Sequence, residues 1–442
     1  MEFLIWKEAE ALPIPSLSQT VATLCFLLIL LVPFTVAGLA LLNSGLGRSR
    51  SAAHVMMASL CVFAVSALAY IAVGFSWQGV AGRHAHIILI AGKPWNWIAV
   101  EPFFVSSLRL DLSAESLIVL LQMFSVGLAA VIPLSAGSDR WRLGASCASS
   151  ALLAGWTYPL FAHWVWGGGW LAQLGTNCGL GRGFLDGGGA STIQAVGGLT
   201  ALSITWILGP RHGKFLKDGI PAAIPGHNAV LALTGCLLAW VGWIALNSAG
   251  AILFAGIETG SVVLVGINTT LSAAASCLAA AVVTRVRFGR PDASLTANGW
   301  MAGLVVSSGA AAFLKPAAAI LIGALAGFLI LYVIDLLESR LAIDDPGGAV
   351  SVHAVGGILG LLAVSMSAAH SSGQFLAQLA GISTLLGFVL PLSYGLNWLL
   401  NRVYPQRVDE EGERHGMDLY ELGAGAYPEF VVHSEEFSQR WN

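Results

Sequence analysis

Long apolar runs, broken by short polar or glycine-rich segments, dominate the chain. The stretch from Ala11 to Gly47 holds no charged residue. A bilayer core about 30 Å thick takes about 20 apolar residues of helix to cross. On that length the pattern predicts eleven membrane-spanning helices, at about 17–42, 55–77, 116–137, 144–166, 190–209, 227–246, 261–284, 297–314, 316–338, 349–369 and 377–400. The runs are continuously apolar rather than alternating, which predicts helices and not a barrel. The eighth and ninth spans meet at Lys315-Pro316, where a tight turn is expected. No A-x-A-like cleavage site follows the first run, so it reads as a span rather than a leader.

Composition sharpens this picture. Of 442 residues 56% are apolar and only 10% charged, against about 25% charged in a soluble domain. The 52 glycines show no period of three, and the apolar content excludes a disordered chain. A formal net charge of −3 carries no basic footprint for nucleic acid. Six Cys, far apart and without a C-x-x-C, exclude a disulfide scaffold and a zinc ribbon. Neither a nucleophile–base pair nor a metal cluster stands out, so no enzyme and no cofactor are expected. The partner read directly from composition is the lipid bilayer.

Lysine and arginine set the orientation. With eleven spans, one set of loops holds Arg48, Arg50, Arg140, Arg142, Arg211, Lys214, Lys217, Arg285, Arg287, Arg290 and Arg340. The other holds Arg83, Lys93, Arg109, Arg182 and Lys315. The richer set belongs in the cytoplasm, with the N-terminus outside and the tail 401–442 inside. Leu419, Leu422, Tyr427 and Phe430 could dock that tail on the inner face, or it could be a solvated end.

The chain also repeats itself. Asp186 to Leu202 lines up without gaps on Asp345 to Leu361, and nine of seventeen positions are identical. A second echo pairs Leu42-Asn-Ser-Gly with Leu246-Asn-Ser-Ala. The two Asp segments enter the membrane from opposite faces, five spans apart. That is an inverted repeat: about 17–209 against about 227–369, with the eleventh helix at about 377–400 appended. Residues 1–400 are then one transmembrane domain. Gln194 and His353 each lie eight residues past their Asp, about 12 Å along a helix, near the bilayer centre. Polar groups there are expensive in lipid and belong in a shared interior, as transport residues or as a structural clasp. Gly197-Gly198 and Gly356-Gly357 allow the helices to approach closely.

These segments resemble the ammonium transporter / Rhesus protein family over nearly the whole chain. The likeness is carried by Gly45-Leu-Gly-Arg-Ser after the first span, Ala162-His-Trp-Val-Trp-Gly-Gly-Gly169 ending the fourth, and Ile207-Leu-Gly-Pro-Arg211 closing the fifth. It continues through Gly242-Trp-Ile-Ala-Leu-Asn247, Asn268-Thr269, Ile343-Asp-Asp-Pro, Val352-His-Ala-Val-Gly-Gly-Ile358 and the tail stretch Gly416-Met-Asp-Leu-Tyr-Glu. The resemblance implies a homotrimer with one narrow pore per subunit, ammonium or ammonia as substrate, the cell (inner) membrane as location, and a possible cytoplasmic regulatory protein. It also implies an outer Trp and hydroxyl that recruit the cation, two stacked Phe at the gate, and two midplane His that carry the proton.

Carried over residue by residue, the outer Trp is Trp166, the Asp supporting it is Asp186, and the second pore His is His353. The other positions depart. The first His falls on Gln194, the hydroxyl on Gly250, and the gate positions on Ser125 and Leu246, with Phe124 taking the role if the count slips by one. Asp139 stands where the family usually has Glu, and an extra stretch around Thr176–Phe184 lengthens the loop before Asp186. A cation on Trp166 is worth about 0.5–2 kcal/mol, and the lost hydroxyl removes about 0.5–1.5 kcal/mol, so outer binding is expected to be weakened. Gln does not titrate, so a two-His relay is not expected to run. The first expectation is ammonium transport with an altered gate. The alternatives are a non-conducting sensing homologue and a channel for another small solute.

Several other polar residues have plainer readings. His163 is expected to be packed structure, and His212 and His227 interfacial. Asp335 is expected to pair with an Arg such as Arg340, and Trp95-Asn-Trp97 to lie in an outer aromatic belt. Asn268 and Thr269 either line the pore or clasp helices.

Overall fold

The computed structural model describes residues 16–80, 85–367 and 373–427. Arg83, the last residues of the tenth expected span and Phe430 lie outside them. Eleven helical stretches, here spans 1–11, follow in order: Gln19–Leu46, Ser49–Gln78, Ala114–Ala136, 143–165, Ala190–Leu208, Ala229–Ala255, Thr259–Phe288, Ala293–Ala310, Pro316–Leu341, Val350–Met366 and Gln374–Val403. Eight are long and apolar enough to cross a membrane alone. This is an all-α membrane fold. The helices begin where the sequence supplies caps. Ser113, Asn228 and Asp292 accept from the backbone N–H groups of Ser116, Leu231 and Leu295, satisfying donors that a helix start leaves free. Pro33 and Pro316 open helices at a position that needs no donor. Exposed Leu60, Leu278, Val286 and Leu321 give the spans an apolar outer surface suited to lipid.

One element departs from the all-helical expectation. Strands β1 (Ala85–Ile90) and β2 (Lys93–Ala99) form an antiparallel hairpin between spans 2 and 3. Its two-residue turn, Ala91-Gly92, has positive φ at both positions (50° and 75°), the geometry that matches strand twist. Trp95-Asn-Trp97 therefore lies in a strand packed on the protein. Asn96 is buried and donates to Gly168 O at 3.0 Å, and Trp97 O accepts from Trp164 Nε1 at 2.7 Å.

The centre is built by close approach of small residues. Spans 1 and 6 touch along Gly38, Gly235 and Gly242, where an added Cβ would lie within 2.5 Å of the opposite backbone. The starts of spans 5 and 10 cross in the same way. A Cβ at Gly198 would meet Ala354 N at 2.2 Å, and one at Gly357 would meet Ala190 O at 2.5 Å. In lipid such contacts replace the hydrophobic drive with direct packing. The aligned positions match in backbone detail. Gly189 and Gly348 both have positive φ (94° and 75°), and both spans open with a six-residue π-helical turn, Ala190–Ala195 and Val350–Val355. The second echo meets the first: a Cβ at Gly188 would lie 2.5 Å from Asn247 Oδ1, and one at its counterpart Gly347 3.8 Å from Asn43 Oδ1.

Charged groups knit one end of the bundle. Arg211 is held by Asp344 (2.9 and 3.0 Å) and Asp139 (3.1 Å), tying the ends of spans 3, 5 and 9. Burial would raise the Asp344 carboxyl, but Arg211 and Arg140 outweigh it and hold it at about 2. The tail docks on the same end through polar groups, with Leu419 and Leu422 half-buried and Tyr427 on His227 at 2.9 Å. Asp418 accepts from Ala53 N and His54 N (3.1 and 2.7 Å), capping span 2, and Glu421 bonds His54 Nε2 (2.8 Å) and Leu143 N (2.8 Å). Asp335 pairs with Arg287 at 2.6 Å and not with the expected Arg340, because span 7 packs beside span 9.

A side chain at the crossing has no space to occupy, so Gly198→Val is expected to cost about 3 kcal/mol or more. Gly395→Ala, whose Cβ meets nothing within 4 Å, is expected to stay within about 1 kcal/mol of the parent. Thermal unfolding in detergent reads both.

Candidate functional site

The candidate site begins at the capped starts of spans 5 and 10. Asp186 Oδ1 accepts from Gly189 N and Ala190 N (both 2.8 Å), and Oδ2 from Ser191 N (2.8 Å) and Thr192 N (3.2 Å). Asp345 does the same work opposite, taking Ala349 N at 2.9 Å and Val350 N at 2.7 Å. Each carboxylate thereby satisfies backbone donors that helix starts leave free. The π-helical turn that follows shifts side-chain direction by part of a turn relative to an α-helix, a feature common at functional positions.

Those two turns bring Gln194 and His353 into contact. His353 Nδ1 lies 2.7 Å from Gln194 Oε1, and both residues are buried. With the amide oxygen toward the ring, Nδ1–H donates and Nε2 is left as the bare nitrogen. Gln194 Nε2 is buried without a hydrogen-bond partner among the described residues, an unused donor on the same amide.

Trp166 ends the helix of span 4 and is tied to the first Asp loop, its Nε1 donating to Asp186 O at 2.8 Å. One ring face is covered. Phe254 stacks on it with centroids 4.3 Å apart and planes 9° from parallel. Gly250 sits one turn before Phe254, and a Cβ there would lie 2.6 Å from Gly187 O. The Asp186 loop thus fills the space that a side-chain hydroxyl at this position would need.

The expected gate residues sit in different surroundings. Ser125 is buried, and its Oγ has no partner among the described residues. Phe124 faces elsewhere, stacked on Phe63 of span 2 at 6.3 Å. Leu246 is buried beside Asn247, whose Nδ2 donates to Thr269 Oγ1 and Ser307 Oγ at 3.0 Å each. Asn268 Nδ2 donates to Ala311 O and Leu314 O, both 2.8 Å. Asn268 and Thr269 therefore clasp spans 6, 7 and 8. His163 bonds Gln78 O at 2.7 Å within the packed interior, and His227 bridges Gly47 O and Tyr427.

Sequence reasoning missed three participants. Phe254 was signalled by its spacing, since 250 and 254 lie one helical turn apart on the same face. Gln122 and Tyr158, which bond each other, lie one turn from Ser125 and on span 4 respectively. A separate cavity of about 570 Å³, lined by Trp97, Trp156, Trp164, Trp170 and Phe388, lies on the Trp164 side and does not include Trp166.

A family model described as Ammonium Transporter Family matches residues 23–427. Ammonium transporter Amt2 of Archaeoglobus fulgidus is 34% identical over 432 residues, covering 92% of this chain and 88% of the relative. Ammonium transporter Amt1 of Haloferax mediterranei is 31% identical, covering 91% of this chain and 78% of the relative. Among solved structures, one titled Sensor Amt Protein superposes with a TM-score of 0.80 at 26% identity, covering 90% of this chain and 97% of that one. Mep2 of Candida albicans shares the fold with a TM-score of 0.74 at 22% identity, covering 92% and 90%.

Removing the Asp186 carboxylate strands several buried N–H groups. Asp186→Ala is expected to cost about 3 kcal/mol or more, and Asp186→Asn, which keeps one acceptor, clearly less. Thermal melts of the two variants and the parent check the order.

Proposed function

The chain belongs to the ammonium transporter family, and from that premise we propose that it passes ammonium-derived nitrogen between its two halves, past Trp166, Ser125, Leu246, Gln194 and His353. The observation that carries this reading is the buried contact between Gln194 and His353. It leaves each partner one unused group, a Gln194 donor and a bare ring nitrogen, at the crossing of spans 5 and 10. That pair suits a small neutral molecule that both accepts and donates, which ammonia does. An isolated cation there would lose its hydration without a charged partner, a cost of many kcal/mol. The species crossing the midplane is therefore ammonia, with the proton left at the outer side.

Gln194 has no titrating group, so the proton does not pass along two His. His353 alone supplies the accepting nitrogen, and Gln194 orients it. Asp186 acts through the backbone, fixing the turn that carries Gln194 and anchoring Trp166. The resemblance extends the proposal to a homotrimer in the cell membrane and to a cytoplasmic regulatory protein. The gathering of Arg48, Arg140, Arg211 and the docked tail at one end supports a cytoplasmic C-terminus.

A second reading, a non-conducting sensing homologue, is favoured by the Phe254 ring covering one face of Trp166. Reconstituted liposomes separate the two. The transport reading predicts an ammonium-evoked pH change in the parent that falls at least tenfold in His353→Ala. Gln194→His is expected to change the charge moved per nitrogen, read as current against pH change. A silent parent alongside an active control transporter would remove the transport reading and leave the sensing one.

A further inference from the structure

The outer end of the proposed path holds a feature that the family positions do not account for. Span 6 finishes in a π-helical turn, Ala251–Ala255, and stops at Gly256 with φ 63°. That turn lays the half-buried Phe254 flat on Trp166, with ring centroids 4.3 Å apart and planes 9° from parallel. At this separation the rings are in van der Waals contact and nothing fits between them. A cation on that face of Trp166 needs the same space. The indole N–H edge is tied to the Asp186 loop, through Asp186 O at 2.8 Å, and the Gly187 carbonyl of that loop abuts Gly250. Farther in, Ser125 and Leu246 carry no ring, and Phe124 is turned onto Phe63. The stacked aromatic pair on this route is thus Trp166 with Phe254.

We infer that Phe254 is the outer gate of this chain: a single aromatic lid that covers Trp166 and swings aside when an ammonium cation takes its place. The inference rests on the reading of Trp166 as the recruitment position. The chemistry is an exchange of partners on one ring face. A ring–ring stack is replaced by a cation–ring contact of similar strength, so the lid opens without a large net change. Phe254 lies two residues before Gly256, where the helix stops, and Gly256 and Glu258 are exposed, so the segment that carries the lid ends at the surface. With no ring at either inner gate position, the lid is what closes the proposed path to the buried Gln194 and His353. It also makes Phe254 a specificity-determining residue, since only cations that fit against Trp166 displace it.

The test reads access and transport separately. Ser125→Cys is introduced into the full-length chain in liposomes and labelled from the outside with methanethiosulfonate ethylammonium, with the modified peptide followed by mass spectrometry. Phe254→Ala and Phe254→Leu are expected to raise the labelling rate at least fivefold, and Phe254→Tyr to stay within twofold of the parent. Phe254→Leu keeps apolar bulk, so it remains informative if Phe254→Ala folds poorly. Labelling within twofold of the parent in both the Ala and Leu variants overturns the lid. Faster labelling in variants that move no ammonium supports the lid and sinks the transport reading alone. In transport, the Leu variant is expected to lower the half-saturating ammonium concentration severalfold, and an unchanged value with unchanged labelling counts against the lid.

Discussion

Everything at the centre of this molecule depends on two helix starts crossing at glycine. With Gly198 against Ala354 and Gly357 against Ala190, the backbones of spans 5 and 10 touch. Only at that separation do side chains from opposite halves reach each other, and Gln194 and His353 do so at 2.7 Å. The crossing is fixed at both ends by carboxylates. Asp186 and Asp345 hold the first N–H groups of their turns, so the direction of each functional side chain is set by backbone hydrogen bonds and not by the flexible side chain alone.

The same economy of space explains the outer site. The loop that carries Asp186 also presses its Gly187 carbonyl on Gly250, so that loop and a side-chain hydroxyl at 250 exclude each other. Trp166 is tied to the loop through Asp186 O and is covered by Phe254. Gly250 without a side chain, Ser125 and Leu246 without rings, and Phe254 on Trp166 together shape this end of the proposed path. Gln194 brings no titrating group to the crossing, which fits the proposed neutral passenger, since that needs hydrogen bonds there and no second proton carrier.

Much of this was legible in the amino-acid sequence, for physical reasons. Lipid demands long uncharged runs, so the spans stand out, and the spacing of Asp186 to Gln194 matches that of Asp345 to His353 because each pair sits on one capped turn. What stayed hidden depends on contacts between distant segments. The restriction at Gly250 comes from Gly187 across the loop, and the turning of Phe124 onto Phe63 comes from span 2. The hairpin at 85–99 was hidden because its turn, Ala91-Gly92, lacks the usual Asn or Asp, and Trp95 to Trp97 look like any interfacial aromatic cluster. Asp335 chose Arg287 over Arg340 because partner choice follows helix packing and not distance along the chain.

The central claim is that Gln194 holds His353 in one tautomer, with Nδ1 protonated and Nε2 bare toward the passenger. The most direct measurement is the ¹⁵N chemical shift of both His353 ring nitrogens in selectively labelled protein in a bilayer near neutral pH, assigned by comparison with His353→Ala. The account predicts a protonated-type Nδ1 and a lone-pair Nε2, with that preference lost in Gln194→Leu. A ring protonated at Nε2, or one whose nitrogens do not respond when Gln194 is removed, would contradict it.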